Sequence, residues 1–81
     1  MTKEQIIEKL QPIAQQVFAD PKLTISDSLS AENVPSWTSL SFTQFLTEIE
    51  NNLGIKFKIM EILRMQTMGA IIDVTQSHLM E

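Results

Sequence analysis

Trp37-Thr38-Ser39-Leu40-Ser41-Phe42-Thr43-Gln44-Phe45-Leu46-Thr47-Glu48-Ile49-Glu50-Asn51-Asn52-Leu53-Gly54 is the stretch on which the fold turns. Its apolar residues Leu40, Phe42, Phe45, Leu46, Ile49 and Leu53 recur at helical spacing, which predicts an amphipathic helix beginning near Ser39. Gly54 follows the last of them and suits the left-handed position that closes a helix. The remaining residues arrange themselves around this helix.

Upstream, positions 20–38 are rich in Asp, Ser, Pro and Asn without an apolar period, so they read as a long loop with one short turn near Ala31 to Asn33. Ordered loops of such length usually serve function. Before the loop, Thr2 and Gln5 form a capping-box pattern, and Ile6, Ile7, Leu10, Ile13, Ala14, Val17 and Phe18 trace a first helix that Asp20-Pro21 ends. Pro12 lies inside it, where a missing amide and a clash with the Glu8 carbonyl predict a kink or break. Downstream, Ile55-Lys56-Phe57 is too short for a strand, and Ile59, Met60, Ile62 and Leu63 suggest a short third helix. Thr67 is placed to cap a last helix bearing Met68, Ile71, Ile72, Val74 and Leu79. The expected class is all-α, a four-helix bundle of three main helices and one short one, in a single domain spanning residues 1–81.

Composition agrees. With 81 residues and no cysteine, the chain has neither disulfides nor thiolate metal sites to reinforce a small core, which favours a helical bundle built on local contacts. Ten acidic against six basic residues give a net charge of −4, unlike the basic surface that follows a nucleic-acid backbone. No apolar run reaches membrane-spanning length, and Met1-Thr2-Lys3-Glu4-Gln5 does not open like a signal peptide, so a cytoplasmic monomer is the expectation.

Val34-Pro35-Ser36-Trp37-Thr38-Ser39-Leu40, the helix after it, and Gly54-Ile55-Lys56-Phe57 resemble the acyl carrier protein family, and the likeness covers most of the chain. That family carries a modified serine in an Asp-Ser-Leu motif at the start of its second helix, often with Trp before the Asp. Here the triplet is Thr38-Ser39-Leu40. The segment Ile49-Glu50-Asn51-Asn52-Leu53-Gly54-Ile55 is similar to the family's helix-to-loop passage, and Thr67-Met68-Gly69-Ala70-Ile71-Ile72 stands where its last helix begins. The resemblance implies that Ser39 receives 4′-phosphopantetheine from coenzyme A through a phosphopantetheinyl transferase. It also implies that acyl-loading and acyl-transfer enzymes meet the exposed face of the second helix at Trp37, Thr38, Leu40, Thr43, Gln44 and Thr47. The chain would be a carrier and not an enzyme, holding an acyl group as a thioester for fatty acid, polyketide or another specialised biosynthesis.

Asp27-Ser28-Leu29 also spells the family's tripeptide. Ser28, however, is followed by polar residues and by Pro35, which disfavours helix at Val34, whereas Ser39 has both the Trp and the helix. A serine at a helix start suits an attached phosphodiester, because free amides and the positive dipole end stabilise an anion. It equally suits plain capping. Thr38, in place of the family's Asp, keeps an acceptor but no charge, and the exposed positions Ser41, Thr43, Gln44, Thr47, Asn51 and Asn52 are neutral, leaving Glu48 and Glu50. Two alternatives stay open: an unmodified carrier-like interaction module, and a peptidyl or aminoacyl carrier.

Other residues point to structure. Trp37 is read as packing across the loop in the manner of a hydrophobic staple. Met60, Met65 and Met68 fill the core or line an adaptable acyl pocket, as do Phe45, Leu46 and Ile49. His78 has no cysteine or second histidine to join it in a metal or nucleophile–base set, and Glu48 and Glu50 lie on different helix faces, so no catalytic constellation forms.

Overall fold

The computed structural model describes residues 2–79. Four helices follow one another, α1 (Lys3–Val17), α2 (Ser39–Leu53), α3 (Ile59–Ile62) and α4 (Met68–Leu79), with no strand among the described residues. Helix α1 packs on both α2 and α4. Ile6, Leu10 and Ala14 of α1 are fully buried with Phe45 and Ile49 of α2 and Met68, Ile71 and Ile72 of α4. Each large side chain so buried contributes about 1.5–3 kcal/mol before entropy is counted. Thr75 is also fully buried, and its hydroxyl has no partner among the described residues, which costs about 1–3 kcal/mol.

The capping box forms at α1: the Gln5 amide donates to Thr2 Oγ1 at 3.2 Å, and the Thr2 amide donates to Gln5 Oε1 at 2.9 Å. Pro12 does not break the helix, which runs unbroken from Lys3 to Val17. Pro12 and Glu8 are both exposed, so water can serve the carbonyl that the proline leaves unpaired. The end comes earlier than Asp20-Pro21. Ala19 turns left-handed at φ 54°, its amide donates to the Gln16 carbonyl at 3.2 Å, and the Asp20 amide reaches back to the Gln15 carbonyl at 2.9 Å. These are the two bonds of a Schellman closure.

The long loop is tied down along its length. Leu23, Ile25 and Val34 are buried, the Ile25 amide donates to Gln11 Oε1, and Gln15 Nε2 donates to the Leu23 carbonyl, both at 3.0 Å. A turn lies at 31–33, as expected, with others at 27–28 and 35–36. Asp27-Ser28-Leu29 forms the seat of α4. The Met68 amide donates to the Leu29 carbonyl at 2.7 Å, the Gly69 amide to the Asp27 carbonyl at 3.1 Å, and Lys3 Nζ pairs with Asp27 Oδ2 at 2.8 Å. Gly69 is required there, since a Cβ would stand 3.0 Å from both the Asp27 Cβ and its carbonyl oxygen. Thr67 caps α4 as expected, accepting from the Ala70 amide at 3.2 Å.

Two side chains lie opposite to expectation. Met60 does not fill the core but is exposed on α3, and Ser41 is not on the open face of α2 but buried.

Candidate functional site

The start of α2 is built by hydroxyls around Ser39. Thr38 is the N-cap, extended at φ −114° and ψ 176°, and its Oγ1 accepts from the Ser41 amide at 3.2 Å. In return Ser41 Oγ accepts from the Thr38 amide at 2.8 Å and donates to the Ser36 carbonyl at 2.6 Å. The capping duty therefore belongs to Thr38 and Ser41. Ser39 is the first helical residue, exposed, and among the described residues nothing bonds its hydroxyl. The amides of Ser39 and Leu40 are likewise free at the positive end of the helix.

Trp37 holds this start in place. It precedes the cap and stacks on Phe42, the fourth helical residue, with ring centroids 6.1 Å apart and planes 13° apart; on its other side it stacks on Phe18 at 5.3 Å and 19°. This is the hydrophobic staple, extended across to the end of α1.

Beside Ser39 opens a groove of about 520 Å³ whose apolar wall is Trp37, Phe42, Ile62, Leu63 and Met65, with Thr38 and Ser39 at its edge. Phe45, Leu46, Ile49 and Met68 are core residues and take no part in this groove. Of the residues expected on the presenting face, Thr38, Leu40, Thr43, Gln44 and Thr47 are exposed and Trp37 is buried. The hydroxyls of Thr43 and Thr47 turn back to the carbonyls of Ser39 and Thr43 at 2.9 and 3.0 Å.

Three features escaped the sequence. Ser41 is the second half of the cap, hidden because a capping box usually shows Glu or Gln at that position. Glu50 is not a free surface charge, since its Oε2 accepts from the Phe57 amide at 2.9 Å. Glu61 accepts from the Lys58 amide and pairs with His78, each at 2.8 Å, and His78 lies edge-on to Phe57. The Lys58 amide and His78 together hold the Glu61 carboxyl below its usual range. Among the described residues no cluster of His, Asp and Glu could hold a metal, and no helix is long and apolar enough to cross a membrane.

No protein-family model matches the chain. It is 23% identical over 78 residues to the acyl carrier protein of Lactobacillus johnsonii, an alignment covering 96% of this chain and 98% of that one. Its fold is similar to the solution structure of holo acyl carrier protein from Geobacter metallireducens, with a TM-score of 0.85 and 29% identity over 90% of this chain and 84% of the other. The fold, the helix-start serine and these two likenesses define one class, a small helical carrier protein and not an enzyme. The chain is similar to acyl carrier proteins in both sequence and fold.

Proposed function

We propose that residues 1–81 form a single carrier domain in which Ser39 receives 4′-phosphopantetheine, and that the chain carries an acyl group between enzymes. The observation that supports this most is the division of labour at α2: Thr38 and Ser41 satisfy the helix start, so the exposed Ser39 hydroxyl is left for a reaction. In that reaction Ser39 Oγ attacks the β-phosphorus of coenzyme A, loses its proton and displaces adenosine 3′,5′-bisphosphate, leaving a phosphodiester. The residues present fit such a group. The free amides of Ser39 and Leu40 and the helix dipole favour an anion at this point, and the groove gives an apolar lining beside it. The arm supplies a terminal thiol, which the chain lacks, for thioester formation.

Thr38 fixes the backbone that presents Ser39, Trp37 holds the angle of α2, and Leu40, Thr43, Gln44 and Thr47 face the transferase and the acyl-loading and acyl-transfer enzymes. Tethering then replaces tight binding, because the attached cargo meets each enzyme at raised local concentration. The chain works as a monomer in the cytoplasm.

Intact mass after incubation with coenzyme A, magnesium and a broad-specificity phosphopantetheinyl transferase tests the reading. The expected result is a gain of one phosphopantetheine in the parent chain and in Ser28→Ala, and none in Ser39→Ala. No gain here, and none in protein isolated from its own cells, would replace the carrier with an unmodified interaction module, the reading that uncharged Thr38 favours.

A further inference from the structure

Among the described residues nothing bonds the Ser39 hydroxyl, so its place is set by the backbone on either side of it. On the helix side, the Phe42 amide donates to the Thr38 carbonyl and Thr43 Oγ1 donates to the Ser39 carbonyl, both at 2.9 Å. On the loop side stands a turn over Pro35 and Ser36, closed by the Trp37 amide donating to the Val34 carbonyl at 3.0 Å, with Val34 and Trp37 both buried.

One side chain joins the two sides. Ser41 Oγ, in the first turn of α2, meets the Ser36 carbonyl at 2.6 Å and the Thr38 amide at 2.8 Å. An amide only donates, so a Ser41 lone pair takes the Thr38 proton; a carbonyl only accepts, so the hydroxyl proton goes outward. With one proton to give, the 2.6 Å contact to Ser36 takes it over the 3.3 Å contact to the Thr38 carbonyl. A capping box uses only the accepting half of this hydroxyl. The donating half, which makes the shorter bond, reaches past the cap and fastens the loop. Among short side chains a hydroxyl does both, whereas alanine does neither and an ionised aspartate only accepts. Ser41 is 8% exposed, so water has little room to replace it.

We propose that Ser41 is a positioning residue for the modification of Ser39: by tying the Ser36 carbonyl to the first turn of α2, it holds the Ser39 hydroxyl in one place for the transfer. The proposal rests on the carrier reading above and adds the residue that presents its reacting atom. Ser39 Oγ has to approach phosphorus roughly in line with the departing oxygen. A misplacement of about 1 Å can lower such a rate on the order of a hundredfold. Because Ser41 is buried, it offers the transferase little to bind, and its loss acts on kcat and not on KM.

The test measures kcat and KM for the carrier chain with coenzyme A, magnesium and a broad-specificity phosphopantetheinyl transferase, by intact mass, at a temperature where circular dichroism shows each variant folded. In Ser41→Ala, kcat is expected to fall about tenfold with KM within about twofold of the parent. Ser41→Thr, which keeps the hydroxyl, should recover most of the loss. Ser41→Asp keeps an acceptor for the Thr38 amide but has no proton for Ser36, so its kcat should fall as in Ser41→Ala. Ile6→Val, which loosens the core on α1, should leave kcat as in the parent. Should Ser41→Ala not fold, Ser41→Cys takes its place with the same expectation, since its thiol is a weak donor and acceptor. Parent-like kcat in Ser41→Ala, or in Ser41→Asp, would overturn the proposal. So would a rise in KM alone, or an equal fall in Ile6→Val, which would make the effect one of stability. A gain in mass by the parent chain upholds the carrier whatever these variants do, and a parent that gains none removes the carrier reading and this proposal together.

Discussion

Ser39 owes its availability to the hydroxyls on either side of it. Thr38→Ala removes the acceptor of the Ser41 amide and is expected to cost about 1 kcal/mol of unfolding free energy, within the range of lost N-caps. Ser41→Ala leaves the Thr38 amide and the Ser36 carbonyl without their partner at a buried position, with an expected loss of about 1–3 kcal/mol. Urea denaturation measures both, and a loss in Thr38→Ala larger than in Ser41→Ala would show that the division of labour is misassigned. Thr38→Ser should restore nearly the parent stability, since it keeps the acceptor. The sequence marked the start of this helix but not which of Thr38, Ser39 and Ser41 caps it. All three carry a hydroxyl, and the choice depends on the Ser36 carbonyl, whose direction is set by the loop.

At the scale of the element, periodicity revealed what the ends did not. The apolar spacing of α1, α2 and α4 was enough to place them, and Gly54, left-handed at φ 67°, closes α2 as its position suggested. The close of α1 carried no such sign, because Ala19 adopts the left-handed conformation without being Gly or Asn. Ala19→Gly is therefore expected to stabilise the protein by about 1 kcal/mol, the strain of Cβ in that region less the entropy of the freer unfolded glycine. A lower urea midpoint for Ala19→Gly would contradict the Schellman closure seen there. Pro12 shows the converse, a residue whose effect depends on which side of the helix it faces. Helix α3 has only four residues, too few to display a period, so nothing in its sequence distinguishes half-buried Ile62 from exposed Ile59 and Met60. That is why Met60 was expected in the core, and why the groove beside Ser39 was only partly foreseen, through Met65.

Across the whole molecule, polar links join elements far apart in sequence. Glu61 and His78 connect α3 to the end of α4, and the lowered pKa of Glu61 makes that link sensitive to acid. A carboxyl depressed in the folded state adds stability above its unfolded value, about 4.3 for glutamate, and loses it as pH falls through the folded value. Between about pH 5 and pH 3 the parent chain should thus lose more stability than Glu61→Gln, as followed by urea denaturation at successive pH values. Equal losses would mean that the pair adds nothing to folding. The staple at the start of α2 also gives the molecule an optical property. Trp37 is the single tryptophan of a chain without tyrosine, it is stacked between Phe18 and Phe42, and it lines the groove beside Ser39. Its emission accordingly comes from one known place, so a ligand entering the groove or a tilt of α2 would register as a change in native fluorescence without any attached dye.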